Sequence, residues 1–139
     1  MEIIESEYPL RVRAFELVQD SAGAGRYRGG IGYAREFEML EDSVLTVRSA
    51  NHRFTAWGHS GGTAPRPSRV VLNPGRADSE MLGPLETRHL KAGDIIRFER
   101  SGGGGYGPPA ERNPESVRAD VANGYVSAAA AARDYGKNT

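Results

Sequence analysis

Apolar and polar side chains alternate along several short stretches of the chain, and this two-residue period is typical of half-buried β-strands. The turn sequences Asn73-Pro74-Gly75 and Lys91-Ala92-Gly93-Asp94 fall between such stretches and favour short connections. Short connections join antiparallel neighbours. The pattern predicts six strands, at residues 10–18, 31–40, 43–49, 69–72, 84–90 and 94–100.

The pattern changes after residue 108, where signals for helices replace those for strands. Asn113 followed by Pro114 is typical of a helix start, and Asn123-Gly124 is typical of a helix end. Ser127 can cap a second, Ala-rich helix that stops at Gly136. These residues predict two short helices that can form a hairpin.

The length of 139 residues is that of one domain with its own core. We predict a mainly β fold, an antiparallel sandwich- or barrel-like domain with long Gly-rich loops over residues 1–108. Residues 109–139 are predicted to form a short C-terminal helical appendage of the same domain.

Charge and composition exclude several classes of function. The chain has 18 basic and 18 acidic residues, so no net field attracts nucleic acid or an anionic membrane. It has no Cys, which removes disulfides, thiolate metal sites and thiol nucleophiles. No stretch approaches the roughly 20 apolar residues of a spanning helix, and the acidic start is unlike a signal peptide. We expect a cytoplasmic protein without nucleic-acid or membrane partners.

Residues 58–62 (GHSGG) match the G-x-S-x-G pattern of a nucleophile elbow, and Asp78 and His89 follow in the order of a hydrolase triad. An elbow needs a helix after the serine. Pro65 and Pro67 come where that helix would start, so a chance match in a glycine loop is favoured over an independent hydrolase using Ser60.

Residues 102–107 (GGGGYG) could turn backbone N–H groups toward an anion. A phosphate loop would continue with Lys and a helix, whereas Pro108-Pro109 follow here. Two interpretations remain open for Gly102, Gly103, Gly104 and Gly105 beside Tyr106: they adopt backbone angles that side chains forbid, or they pack closely against another surface. Residues 23–25 (GAG) lack the spacing and the following helix of a dinucleotide fold.

The only Trp of the chain, Trp57, lies in its longest loop together with His52, Arg53 and His59. Two interpretations remain open for Trp57, a plug at the end of the β core or a contact with another subunit. The three histidines of the chain do not have the spacing of a metal site, so no metal ligand is predicted.

Four longer motifs, in order, resemble the C-terminal portion of hydantoinase B, the B-type subunit of ATP-dependent hydantoinases, 5-oxoprolinases and ketone carboxylases. They are residues 7–12 (EYPLRV), 20–30 (DSAGAGRYRGG), 52–62 (HRFTAWGHSGG) and 102–115 (GGGGYGPPAERNPE). The second and fourth motifs are long and specific, although Ala22 stands where the family usually has Gly.

The resemblance implies a small, non-catalytic subunit of an ATP-dependent complex. Family members are several times longer, and their metal-binding residues lie in an N-terminal part without counterpart here, so no catalytic residue is carried over. The best fit is a separately encoded subunit of a biotin-independent ketone carboxylase of the acetophenone type, which makes benzoylacetate from acetophenone, bicarbonate and ATP. The alternatives are the same role in a hydantoinase or 5-oxoprolinase that hydrolyses cyclic amides, and a stand-alone small-molecule binding module around Trp57.

The resemblance also implies partners and cofactors. We expect hydantoinase A-type chains and N-terminal hydantoinase B-type chains as partners, and these would bind the ATP and the divalent metal (Mg, Mn or Zn). This chain is expected to bind no cofactor. Its candidate partner- or substrate-facing residues are His52, Arg53, Trp57, His59, Gly102, Gly103, Gly104, Gly105 and Tyr106.

Overall fold

The computed structural model describes residues 2–136. The strands are β1 (Leu10–Leu17), β2 (Tyr33–Met39), β3 (Ser43–Arg48), β4 (Arg69–Leu72), β5 (Glu80–Leu82), β6 (Leu85–Leu90) and β7 (Ile95–Glu99). The helices are α1 (Glu2–Glu7), α2 (Pro114–Ala122) and α3 (Ala128–Tyr135), with a 3-10 turn at Pro109–Glu111. The predicted fold class, mainly antiparallel β with a C-terminal helical pair, is confirmed.

The strands form two antiparallel sheets, a five-stranded sheet in the order β1-β2-β7-β4-β5 and a two-stranded sheet of β3 and β6. One buried apolar cluster joins them and makes the fold sandwich-like. Its members come from both sheets: Met39, Val47, Val70, Leu82, Leu90 and Ile96.

An ion pair also connects the two sheets. Arg88 of β6 forms an ion pair with Glu80 of β5 and a second with Glu86 on its own strand. The strand β6 therefore lies next to β5, while Leu45 of β3 packs against the shared cluster together with Leu10 of β1 and Phe37 of β2.

A β-bulge in β1 changes which side chains face inward. Leu10 and Val12 pair with Met39 and Phe37, but the register shifts between Val12 and Ala14. After this bulge Phe15 is the next residue on the inner face, where it pairs with Arg35. The predicted alternation of β1 is therefore right at its start and interrupted in its middle.

The C-terminal helices pack on the Gly-rich loop through a second apolar cluster: Ala24, Val117, Val126, Ala130, Ala131 and Tyr135. Both predicted caps are present. The Asn113 side chain accepts a hydrogen bond from the Glu115 N–H at 2.8 Å, and the Ser127 hydroxyl accepts one from the Ala130 N–H at 3.1 Å.

A buried ion cluster fastens α2 to the β domain. Arg28 reaches both carboxylate oxygens of Asp120, at 3.0 and 3.2 Å, and Arg112 reaches Asp120 Oδ2 at 2.7 Å. Asp120 is only 7% exposed. Because two guanidinium groups surround one carboxylate, the cluster ties residues far apart in sequence into one structure.

Two elements were not predicted. The strand β5 has three residues, and two of them, Glu80 and Met81, are exposed, so it carries no alternating pattern. The helix α1 has six residues and buries none of them. None of the helices formed by residues 2–136 has the length and apolar character needed to cross a membrane.

Candidate functional site: an aromatic surface on packed glycines

Three Gly-rich segments that are distant in sequence lie side by side. The segment of residues 102–107 is in the middle. Tyr106 exchanges two backbone hydrogen bonds of 2.9 Å with Tyr27 on one side. On the other side the His59 N–H donates to Gly105 O and the Gly105 N–H donates to Thr63 O, both at 2.9 Å. We call these three segments, residues 23–32, 57–63 and 102–107, the glycine layer.

The glycine layer requires glycine because main chain packs directly on main chain. A Cβ added to Gly29 would lie 2.0 Å from Gly103 O, and one added to Gly105 would lie 2.0 Å from Ala24 O. A Cβ on Gly104 would lie 2.2 Å from Trp57 O. No side chain fits at such distances, so the interpretation that Gly104 and Gly105 pack closely against another surface is confirmed.

The same contacts occupy the backbone donors that could have held a phosphate. The N–H groups of Gly102 and Gly103 donate to Ser21 O and Gly30 O, and those of Gly105 and Gly107 donate to Thr63 O and His59 O. These donors are engaged by carbonyl oxygens of the layer and of the neighbouring residue Ser21. The segment therefore lacks the convergent free donors of an anion site.

Aromatic side chains project from the glycine layer into solvent. Tyr106 is 52% exposed and stacks on the His59 ring, with centroids 5.6 Å apart and an interplanar angle of 3°. Tyr27 is 60% exposed, with its centroid 6.2 Å from that of Tyr106. Trp57, two residues before His59, is 82% exposed. We call Tyr27, Trp57, His59 and Tyr106 the aromatic surface.

The interpretation of Trp57 as a plug of the β core is therefore wrong. Its carbonyl oxygen packs on Gly104 while its indole stays in solvent. Arg53 stacks over the ring of Phe54 at 5.4 Å, and Phe54 is 78% exposed. Exposed Trp, Tyr and Arg side chains are the residue types that dominate binding hot spots.

His52 lies apart from this surface. Its Nε2 atom is buried and has no hydrogen-bond partner among the described residues. Burial, and secondarily the charge of Arg100, lowers the pKa of His52 below its usual value. No hydrogen bond, ion pair or ring contact among residues 2–136 joins His52 or Arg53 to Tyr106. The structure thus brings together His59, Trp57, the four glycines and Tyr106 but links neither His52 nor Arg53 to them.

The residues of the apparent triad are separated. Ser60 forms a 2.7 Å hydrogen bond with His59 Nδ1. Asp78 instead accepts a hydrogen bond from Asn73 at 2.8 Å, and His89 is exposed on β6 opposite Val44. Without an acid behind the histidine, the pair lacks the third member of a triad. Residues 2–136 contain no group of three His, Asp or Glu side chains that could hold a metal ion.

Two residues that form this surface or hold the helices against it were not among the candidate site residues. Tyr27 was not singled out, although it lies inside the conspicuous motif of residues 20–30. Asp120 was not singled out either, because the arginines that bind it are 92 and 8 residues away. Nothing in the linear pattern shows those contacts.

Comparison with known proteins finds one family match and several relatives of this chain. The sequence profile of the hydantoinase B/oxoprolinase family matches residues 1–109. The chain is 36% identical over 97% of its length to the uncharacterized protein MJ0963 of Methanocaldococcus jannaschii, covering 24% of that protein. It is 32% identical over 98% of its length to the caprolactamase subunit beta of Pseudomonas jessenii, covering 24% of it.

A more distant relative is the acetophenone carboxylase delta subunit of Aromatoleum aromaticum, 28% identical over 91% of this chain and 23% of that subunit. The chain thus spans about a quarter of the length of each of these three relatives.

Two solved structures share the fold. The crystal structure of the ATP-dependent caprolactamase from Pseudomonas jessenii superposes with a TM-score of 0.82 at 32% identity, over 97% of this chain and 24% of that chain. The nucleotide-free acetone carboxylase superposes with a TM-score of 0.84 at 23% identity, over 98% of this chain and 22% of that chain. The second likeness concerns the fold alone.

Proposed function

The chain belongs to the hydantoinase B/oxoprolinase family, and from that premise we propose that it is a non-catalytic interaction part of a larger ATP-dependent enzyme complex. Its relatives are subunits of such complexes, caprolactamase and acetophenone carboxylase among them. In this proposal the aromatic surface contacts a larger subunit, and the other subunits carry the chemistry.

One observation carries the proposal. Trp57 is the only Trp of the chain, and its indole is 82% exposed on a main chain that the glycine layer fixes in place. Exposing a large aromatic ring to water is unfavourable, at about 25 cal/mol per Å² of apolar surface. A rigid base that holds such a ring outward suits a contact that buries it, since little conformational freedom is lost on binding.

The cofactors belong to the same proposal. ATP and a divalent metal (Mg, Mn or Zn) would be held by hydantoinase A-type and N-terminal hydantoinase B-type chains. Two observations support this part of the proposal: residues 2–136 offer no cluster of three metal ligands, and the backbone donors of residues 102–107 are largely engaged with carbonyl oxygens.

The substrate class has two candidates. Caprolactam is a cyclic amide, and the caprolactamase subunit is 32% identical to this chain, which favours hydrolysis of a cyclic amide. The acetophenone carboxylase subunit, at 28%, supports carboxylation of a ketone. The small subunit of an acetophenone-type carboxylase is one form of this second candidate.

The test is reconstitution with larger subunits, hydantoinase A-type and N-terminal hydantoinase B-type chains. The complex should co-purify, and it should consume ATP with either a cyclic amide or a ketone plus bicarbonate, which decides between the candidates. Trp57→Ala should weaken co-purification, whereas Leu85→Ala, a matched change at a side chain that is 75% exposed on β6, should not. A chain that stays monomeric beside those subunits contradicts the proposal.

A further inference from the structure

The inner face of the five-stranded sheet is only partly covered. Arg88 of β6 pairs with Glu80 of β5, and Leu45 of β3 packs in the apolar cluster that the two sheets share. Of the strands at the other edge, β2 contributes Met39 to that cluster, whereas Phe15 and Leu17 of β1 are more than half exposed. Part of the apolar inner face is therefore without a second layer among residues 2–136.

The strand register shows which side chains lie on that part of the inner face. Phe15 pairs with Arg35 and Leu17 pairs with Tyr33, on the same face as the core residue Phe37. Phe15 is 57% exposed and Leu17 is 56% exposed. We call Phe15, Leu17, Tyr33 and Arg35 the uncovered patch.

An apolar groove on the same inner face runs between the two sheets. It has a volume of about 410 Å³. Side chains of β1, β2 and β7 form its floor, β3 forms one wall, and the α1 region closes one end; the floor and wall include Leu10, Phe37, Phe98, Val44 and Leu45.

The wall of the groove is also a free strand edge. Within the described part of the chain β3 pairs with β6 only, through Ser43–Arg48. No backbone hydrogen bond joins its other edge to the rest of residues 2–136. A row of open N–H and C=O groups beside an apolar groove is the geometry that accepts an added strand.

Arg35 indicates the charge of the missing partner. Its guanidinium lies over the rings of Phe15 and Tyr33, at 5.1 and 5.3 Å, and no carboxylate pairs with it among residues 2–136. Its Nε atom is buried without a hydrogen-bond partner. Arg97 on the outer face, by contrast, pairs with three carboxylates. A buried donor without an acceptor favours a partner that brings a carboxylate.

We propose that an extended segment of a larger subunit adds to the free edge of β3 as a third strand, places alternate apolar side chains in the groove and brings an acidic residue to Arg35. The inference rests on the proposed function, because it assumes that the chain works in a complex. A strand suits this site better than a helix, because only an extended segment can pair its backbone with the open N–H and C=O groups of β3. The longer relatives, of which this chain covers about a quarter, contain ample sequence for such a segment.

The test uses the complex reconstituted with the larger subunits and the variant Arg35→Leu. Loss of the pair should raise the concentration for half-maximal assembly about tenfold or more. The isolated variant should unfold at the same or a higher denaturant concentration than the unchanged chain, because a buried unpaired donor is removed. Arg118→Leu, an exposed arginine of α2, is the control and should leave assembly unchanged.

Hydrogen exchange supplies a second readout that does not depend on a variant. The outward amides of Ser43–Arg48 should exchange about tenfold or more slowly in the complex than in the isolated chain. Equal exchange, together with unchanged assembly of Arg35→Leu, overturns the inference. If Trp57→Ala still weakens assembly in that case, the proposed function stands although the strand addition to β3 is rejected.

Two further results overturn the proposed occupant. Protection of Ser43–Arg48 in a homodimer of the isolated chain assigns the edge to a second copy. A chain that does not associate with the larger subunits at all overturns both this inference and the proposed function.

Discussion

Adjacent glycines in the glycine layer provide a matched pair of perturbations, Gly29→Ala and Gly30→Ala. A Cβ on Gly29 would lie 2.0 Å from Gly103 O, whereas a Cβ on Gly30 meets nothing within 4 Å. Neither residue has a positive φ, so alanine causes no backbone strain at either position. The two changes differ only in the space that the methyl group enters.

The expected cost of Gly29→Ala follows from the atom it displaces. Gly103 O accepts the Gly23 N–H at 2.9 Å, so moving it breaks that bond. Overpacking costs about 1–3 kcal/mol and a lost backbone hydrogen bond about 1 kcal/mol, which gives roughly 2–4 kcal/mol. Gly30→Ala should be neutral or stabilising by up to about 1 kcal/mol, because alanine restricts the unfolded chain.

Urea unfolding followed by circular dichroism measures both variants on the isolated chain. The two free energies of unfolding should differ by at least about 2 kcal/mol, with Gly29→Ala the less stable. Equal stabilities would refute the reasoning, since they would mean that the main chains of the layer are not in direct contact.

Three further predictions concern buried polar groups. Asp120→Asn should lower the free energy of unfolding by about 3 kcal/mol, because the buried guanidinium groups of Arg28 and Arg112 lose their counter-charge. The control Asp134→Asn, which removes an exposed ion pair with Arg133, should cost less than about 1 kcal/mol. Urea unfolding measures both variants. Asn73→Asp places a third carboxylate within 2.9 Å of the carboxylates of Asp78 and Asp94, so the variant should be destabilised at pH 7. It should recover part of the lost stability near pH 4, where carboxyl groups protonate. A pH series of melting temperatures that shows no recovery would contradict this electrostatic explanation. The pKa of His52 is lowered in the folded state, so its neutral form contributes stability above about pH 6.5 that is lost as the pH falls. In His52→Gln the free energy of unfolding should therefore fall less steeply between about pH 7 and 5 than in the unchanged chain. An unchanged slope would contradict a role of His52 in this pH dependence.

The strands and helix caps were predictable because their signals are local. Alternation along β2 and β7, and the cap of α2 at Asn113, depend on residues within one element. The strand β5 was missed because three mostly exposed residues carry too little pattern. The bulge in β1 was missed because its evidence is the pairing with β2.

The contacts of the glycine layer could be predicted from the sequence only in part. Composition identified each Gly-rich segment, and close packing was one of two interpretations for the segment containing Gly104 and Gly105. Which main chain they meet depends on folding that brings residues 23–32, 57–63 and 102–107 together. The exposure of Trp57 follows from that meeting, so two interpretations were open from the sequence and the structure removes one.

The division of the chain at residues 108 and 109 stays a prediction. The helices after this boundary pack on Ala24, and Asp120 of α2 forms an ion pair with Arg28. Ala24 and Arg28 both belong to the β part. A cut at this boundary should therefore destabilise the β domain as well as the helices. Residues 137–139, part of the predicted C-terminal appendage, lie outside the described residues.

Hydroxyl-radical footprinting, read by mass spectrometry, tests the central claim most directly. The isolated chain and its complex with the larger subunits are labelled side by side. We predict strong labelling of Trp57 and Tyr106 in the isolated chain and protection of both in the complex, with Met81, 56% exposed on β5, labelled equally in the two samples. Equal labelling of Trp57 and Tyr106 in the isolated chain and the complex would contradict the assignment of the aromatic surface as the contact with a larger subunit.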